Sequence, residues 1–108
     1  MTTDIPRPIA ALAETTNRAD STSFVALFTE DALLVDGGRH YRGHDGIRDW
    51  NRTDNIGVNS HLVLTDVRPG SEPDSYVATV SVSGDGFNGT GTMTFVLRGE
   101  LIASLHIS

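Results

Sequence analysis

The chain has 108 residues, 38% of them hydrophobic and 20% charged, and its 14 acidic against 8 basic side chains leave a net charge of -6. That length supports one domain with a genuine core, and not a second. The acidic balance argues against nucleic acid or an anionic membrane as partner, since both need a basic footprint, and the lack of cysteine excludes disulfides, thiolate metal sites and thiol nucleophiles.

The first twenty residues hold Asp4, Pro6, Pro8 and Glu14 where a signal peptide or membrane span would need an uninterrupted apolar run. A soluble, cytoplasmic protein is therefore expected. Ile9, Leu12, Ala13 and Thr16 recur at helical spacing and predict a first helix from Pro8 to Asn17. Asp20 or Ser21 can cap a second helix, in which Phe24, Leu27 and Phe28 make an i, i+3, i+4 stripe that runs to Thr29-Glu30-Asp31. Ala32 to Asp36 reads as a strand, Gly37-Gly38 as a turn, and Arg39 to Arg42 as the return strand. A third helix then starts near His44 or Asp45, with Ile47 and Trp50 on its buried face.

From Val58 onward the hydrophobic period is two. His61 to Arg68, Ser75 to Ser83, Thr90 to Arg98 and Leu101 to Ile107 read as four antiparallel strands. Asp85-Gly86 and Asn88-Gly89 are both hairpin signals in the second connection, between Ser83 and Thr90, and the first is favoured. With helices gathered first and a meander of strands after, the fold class is α+β in a single domain spanning 1–108.

The order of these elements, with Asp20-x-x-x-Phe24-x-x-Leu27-Phe28-x-x-Asp31-Ala32 and Gly43-x-x-Gly46-Ile47-x-x-Trp50, resembles the nuclear-transport-factor-2-like superfamily, and within it the SnoaL-like and ketosteroid-isomerase-like proteins. The resemblance covers essentially the whole chain. It implies a cone-shaped curved sheet wrapped around the helices, a pocket between sheet and helices, and in many members a homodimer formed through the convex sheet face. It also implies a range of activities on small molecules, isomerases, dehydratases and cyclases among them, beside non-enzymatic binding proteins.

Position by position, the resemblance puts Asp36 where the isomerase-like members carry their general base. A carboxylate set against apolar walls is a stronger base than one in water; the alternative is an aspartate that merely opens the Gly37-Gly38 turn. Strand parity predicts that His61, Val63 and Thr65 face the pocket, with Tyr76, Ala78 and Val80, then Met93 and Phe95, then Ser104, His106 and Ser108. On that reading His61 or His106 partners Asp36 in proton transfer, unless each is a histidine satisfied by a backbone carbonyl. Leu12, Trp50, Tyr76, Val80, Met93, Phe95 and Ser104 form the substrate-binding set. Leu101, Ala103, Leu105 and Ile107 form an outer apolar row suited to a dimer interface.

Two departures narrow the chemistry. The tyrosine and second acid with which the steroid-isomerase-like members stabilise a dienolate map to Leu12 and Met93, neither of which donates a strong hydrogen bond, so steroid isomerisation is not expected. No arginine falls on the pocket parity, so the aspartate-arginine-aspartate relay of the epoxide-hydrolase-like members is not evident. His40 and His44 stand four apart, but Gly43 breaks any helix between them, and no metal is expected there. No cofactor fingerprint occurs. The expected ligand is a small apolar, oxygen-bearing molecule.

Overall fold

The computed structural model describes residues 5–108; Asp4, counted above against a signal peptide, lies outside the described residues. Helix α1 (Arg7–Asn17) begins where Pro6 and Pro8 restrict the chain, Pro8 occupying a first-turn position at which no amide donor is needed. Its inner face buries Ile9, Leu12 and Ala13. At its end the Asn17 side chain donates to the Leu62 carbonyl at 2.8 Å and accepts from the Leu62 N–H at 2.7 Å, tying the helix to a strand 45 residues away. Asp20 caps helix α2 (Ser21–Ala26), its Oδ1 accepting from the Ser23 N–H at 3.1 Å. Hydrogen bonds from the Ser23 hydroxyl and N–H hold the Asp20 carboxyl below the usual carboxylate range.

The second helix is shorter than its apolar stripe suggests. Strand β1 (Phe28–Asp36) already starts at Phe28, because Ile102 pairs with Phe28 in the sheet and its N–H donates to the Leu27 carbonyl at 2.8 Å. Phe24 and Phe28 thus belong to different elements, yet their rings meet at 5.4 Å and both are fully buried. Gly37 and Gly38 take φ of 58° and 82°, the left-handed pair that a two-residue hairpin turn needs. The chain returns through β2 (Arg39–Arg42) into α3 (Gly43–Asp54), which buries Ile47, Trp50 and Asn51. A 3₁₀ turn (Ile56–Val58) leads to β3 (His61–Pro69), β4 (Ser75–Ser83), β5 (Gly89–Arg98) and β6 (Leu101–Ile107).

The six strands make one sheet in the order β2-β1-β6-β5-β4-β3, in which β1 and β6 are parallel and every other pair antiparallel. Neither candidate two-residue turn joins β4 to β5. Residues 84–88 form a longer loop instead, and the Asn88 side-chain amide closes it by accepting from the Gly84 N–H at 3.2 Å and donating to the Gly84 carbonyl at 2.9 Å.

Side-chain parity differs from the simple alternation in two strands. In β3 the inward residues are Leu62 and Leu64, whereas His61 and Val63 are exposed, and a register shift at Thr65 makes Val67 the next residue packed against the core. In β6 the register shifts between Ile102 and Ser104, so Ile102 (0% exposed) and Leu105 (1%) both face the core although three positions apart. His106 pairs laterally with Thr94, and Ser104 with Val96, on the outer face. Half of the apolar row expected outside is therefore inside: Leu105 and Ile107 pack inward, and Leu101 alone of the four is exposed, at its strand end.

The helices cover one face of the sheet. Phe24, Phe28, Leu34, Ile47, Phe95, Ile102 and Leu105, each at most 1% exposed, fill the space between them. Among the described residues no helix is long and apolar enough to cross a membrane.

Candidate functional site

One inward row of side chains crosses the sheet from β1: Asp36 is level with Ile107, Ile107 with Met93, and Met93 with Ala78. The next row in one direction, Leu34, Leu105, Phe95 and Tyr76, is filled by large side chains under the helices. In the other direction β5 offers only Gly91 and then Gly89. A Cβ built on Gly91 would meet nothing closer than the Ser108 carbonyl oxygen at 3.6 Å. Gly91 is thus left bare on the cavity wall, while the Phe87 ring covers Gly89, 3.0 Å from where its Cβ would stand. The result is a cavity of about 380 Å³, walled by Trp50, Leu62, Val80, Val82, Phe87, Met93 and Ile107, with Asp36, Asp54, Asn55, Ser60, Thr90 and Ser108 as its polar groups.

Asp36 is positioned from two sides. The Gly37-Gly38 turn ends β1 directly after it, and α3 brings the Trp50 indole N–H to its Oδ2 at 2.9 Å. Trp50 is 4% exposed and stacks on Phe24 at 6.2 Å, so the donor cannot swing away without disturbing the core. The Asp36 side chain is thus turned toward α3, and no hydrogen bond from a described residue reaches its Oδ1. Asp54, one helical turn after Trp50, pairs with Arg39 at 2.7 Å. Asn55, 2% exposed, donates from Nδ2 to Thr16 Oγ1 and to Asn51 Oδ1, both at 3.0 Å.

The residues expected here divide in two groups. Asp36, Trp50, Val80 and Met93 stand together at the cavity. His61 and His106 do not: both are exposed on the outer side of the sheet, His61 on the far edge strand and His106 level with Val35, whose side chain points away from that of Asp36. The bulge in β6 and the opposite phase of β3 are the reasons. Leu12 and Phe95 are core residues, Tyr76 lies in the packed row beside Phe95, and Ser104 is on the outer face, so none of these four walls the cavity. Sequence reasoning missed Asp54, Asn55, Ser60, Leu62, Val82, Phe87 and Ile107. A signal existed for two of them, since Asp54 and Asn55 follow Trp50 and Asn51 at i+4 and share their helical faces.

A second depression, about 590 Å³, lies between α2 and α3 and is lined by Val25, Ala26, His44, Arg48 and Arg52 among others. It holds no carboxylate, and its titratable groups are already engaged. His44 Nε2 is 2.8 Å from the Phe28 carbonyl oxygen, Arg48 pairs with Asp45, and Arg52 with Asp49. Among the described residues no group of three histidine or carboxylate side chains could hold a metal ion.

The mixed six-stranded sheet, its helical cover and the cavity between them define the nuclear-transport-factor-2-like fold, in the form shared by ketosteroid-isomerase-like and SnoaL-like proteins. A candidate polyketide cyclase from Sinorhizobium meliloti superposes with a TM-score of 0.86 over 97% of this chain and 96% of its own, at 21% identity. The Δ5-3-ketosteroid isomerase of a Mycobacterium species gives 0.76 over 96% and 93%, at 16% identity. A computationally designed 17-OHP binder gives 0.80 over 98% and 92%, at 20% identity. No family model and no curated protein matches the sequence. At these identities the likeness establishes the fold and leaves the reaction open.

Proposed function

We propose that this protein binds a small, apolar, oxygen-bearing molecule in the cavity beside Asp36, and that Asp36 is the general base of a cofactor-independent proton transfer of the isomerase, dehydratase or cyclase type. The observation that carries this is a carboxylate on the wall of a largely apolar cavity, with one oxygen held by the Trp50 N–H at 2.9 Å. Oδ1 is left to take a proton from an acidic C–H or a hydroxyl, and the indole N–H stabilises the charge on Oδ2 before transfer. The histidines, being outside, take no part. A second reading, a binding protein without chemistry, is favoured by one feature: among the described residues the only other acidic or basic side chain at the cavity is Asp54, already paired with Arg39. That a computationally designed protein of the same fold is a 17-OHP binder supports this reading.

The test is a thermal-shift screen of apolar ketones, phenols and lactones, followed by titration of hits against the emission of Trp50, the only tryptophan. Hits are expected to raise Tm and change the Trp50 emission. Gly91→Val, which puts a side chain into the cavity, is expected to abolish both responses. A screen with no responder, or hits indifferent to Gly91→Val, removes this site. Conversion of a hit separates the enzyme from the binder.

A second copy of the chain would dock on the outer sheet face, where Leu33, Val35, Val77 and Val96 are only half-buried and Val63 is 49% exposed. Light scattering is then expected to give a mass near twice the 11.6 kDa of the chain. A monomer at high micromolar concentration would dispose of this interface.

A further inference from the structure

Among the polar groups of the cavity, Asn55 has the least freedom. Its amide is fixed by a chain of hydrogen bonds that starts at a group able only to donate. The backbone N–H of Ile56 points to Asn51 Oδ1 at 3.4 Å, and Asn51 Nδ2 points away, to Ser21 Oγ at 3.2 Å. Because Asn51 Oδ1 is an acceptor, the Asn55 atom 3.0 Å from it must be the donor, Nδ2. Nδ2 also donates to Thr16 Oγ1, which uses both of its hydrogens. A flipped Asn55 would set two carbonyl oxygens against each other, so the orientation follows from the network.

The consequence falls on Asn55 Oδ1. The residue is 2% exposed and belongs to the cavity wall, and no described residue donates to this oxygen. Among the described residues no polar side-chain atom is both sealed from solvent and unpaired, so Oδ1 keeps an accessible edge, on a residue that lines the cavity. A buried carbonyl oxygen that cannot turn is a demanding partner: it accepts a hydrogen bond from whatever enters, or is left unsatisfied when the ligand displaces its water.

We infer that Asn55 selects the ligand by its donor: the cavity takes apolar molecules bearing a hydroxyl or N–H and discriminates against counterparts whose polar atom can only accept. This rests on the ligand-binding reading above and refines its substrate class. The charged groups agree with it, since Asp36 and Asp54 are carboxylates and the guanidinium of Arg39 is taken by Asp54, while the hydroxyls of Ser60, Thr90 and Ser108 donate and accept alike. A ketone or ether finds its donors only among those hydroxyls, and never at Asn55 Oδ1. An alcohol, phenol or amine meets partners.

The experiment compares 4-cyclohexylcyclohexanol with 4-cyclohexylcyclohexanone, two probes of nearly equal shape that do not absorb where Trp50 does. Titrated against Trp50 emission, the alcohol is expected to bind about ten- to a hundredfold more tightly than the ketone. Asn55→Leu is expected to erase that preference, and Asp36→Asn to reduce it only in part. Equal binding of both probes by the wild type overturns the inference and leaves ligand binding standing; binding of neither overturns both. A preference lost in Asp36→Asn assigns the selection to Asp36 and also overturns it. That last comparison stands even should Asn55→Leu fail to fold.

Discussion

Asp36→Asn is expected to lower kcat for any proton-transfer substrate of this protein by about 10²- to 10⁴-fold, the range over which a positioned general base contributes. The substitution separates chemistry from structure. Asparagine keeps the shape and retains an oxygen to accept the Trp50 N–H, now 2.9 Å from Asp36 Oδ2, but has no lone pair basic enough to take a proton. Stability should change by less than about 1 kcal/mol, because the one hydrogen bond at stake survives. Asp36→Ala is the instructive contrast. It strands the indole N–H of a residue only 4% exposed, a loss of about 1–3 kcal/mol. Steady-state kinetics and thermal melts of the two variants read both effects. Turnover undiminished in Asp36→Asn would remove Asp36 as the base and, with ligand binding intact, leave the protein a binder.

Leu105→Ala is expected to cost about 2–5 kcal/mol, and His106→Ala, one residue away, no more than about 0.5 kcal/mol. Leu105 is 1% exposed and packs inward level with Leu34 and Phe95, so its removal opens a cavity that rigid neighbours cannot fill. His106 lies outside with Thr94, where water replaces whatever it touches. For a domain of this size the first loss is a large part of the total stability. Urea unfolding of both variants decides the phase of β6. Equal losses, or the larger loss at His106, would mean that the strand faces the other way and would return that histidine to the cavity.

Much of the architecture is legible in local patterns. The Ile9, Leu12, Ala13 stripe, the Asp20 cap and the Gly37-Gly38 turn each express a short-range preference that the fold keeps. Asp36 is different: the turn after it marks only a strand end, and it is the position-by-position resemblance that singles this carboxylate out. Its alternative as a mere turn residue is not what the side chain does, since it reaches α3 and not the turn amides. The histidines show where local reading fails. A strand's alternation is visible in sequence only up to a phase, and one bulge reverses it. Ile102, Leu105 and Ile107 all face inward although their spacing is three and then two. Nothing in Leu101 to Ile107 announces the extra residue, because the shift is set by pairing with Val96 and Leu97 on a neighbouring strand.

The resemblance to a known family picked out Asp36 as the carboxylate most worth testing; by itself the sequence determined the α+β class and the order and most of the bounds of its elements. These follow from hydrophobic period, capping and turn chemistry, which act over a few residues. The tertiary structure alone decided what surrounds that carboxylate. It put the Trp50 N–H on Asp36 across 14 residues, joined Thr16 to Asn55 across 39, and turned both histidines away. Those outcomes depend on strand phase and helix docking, which are set where distant segments meet, and no local pattern carries that information.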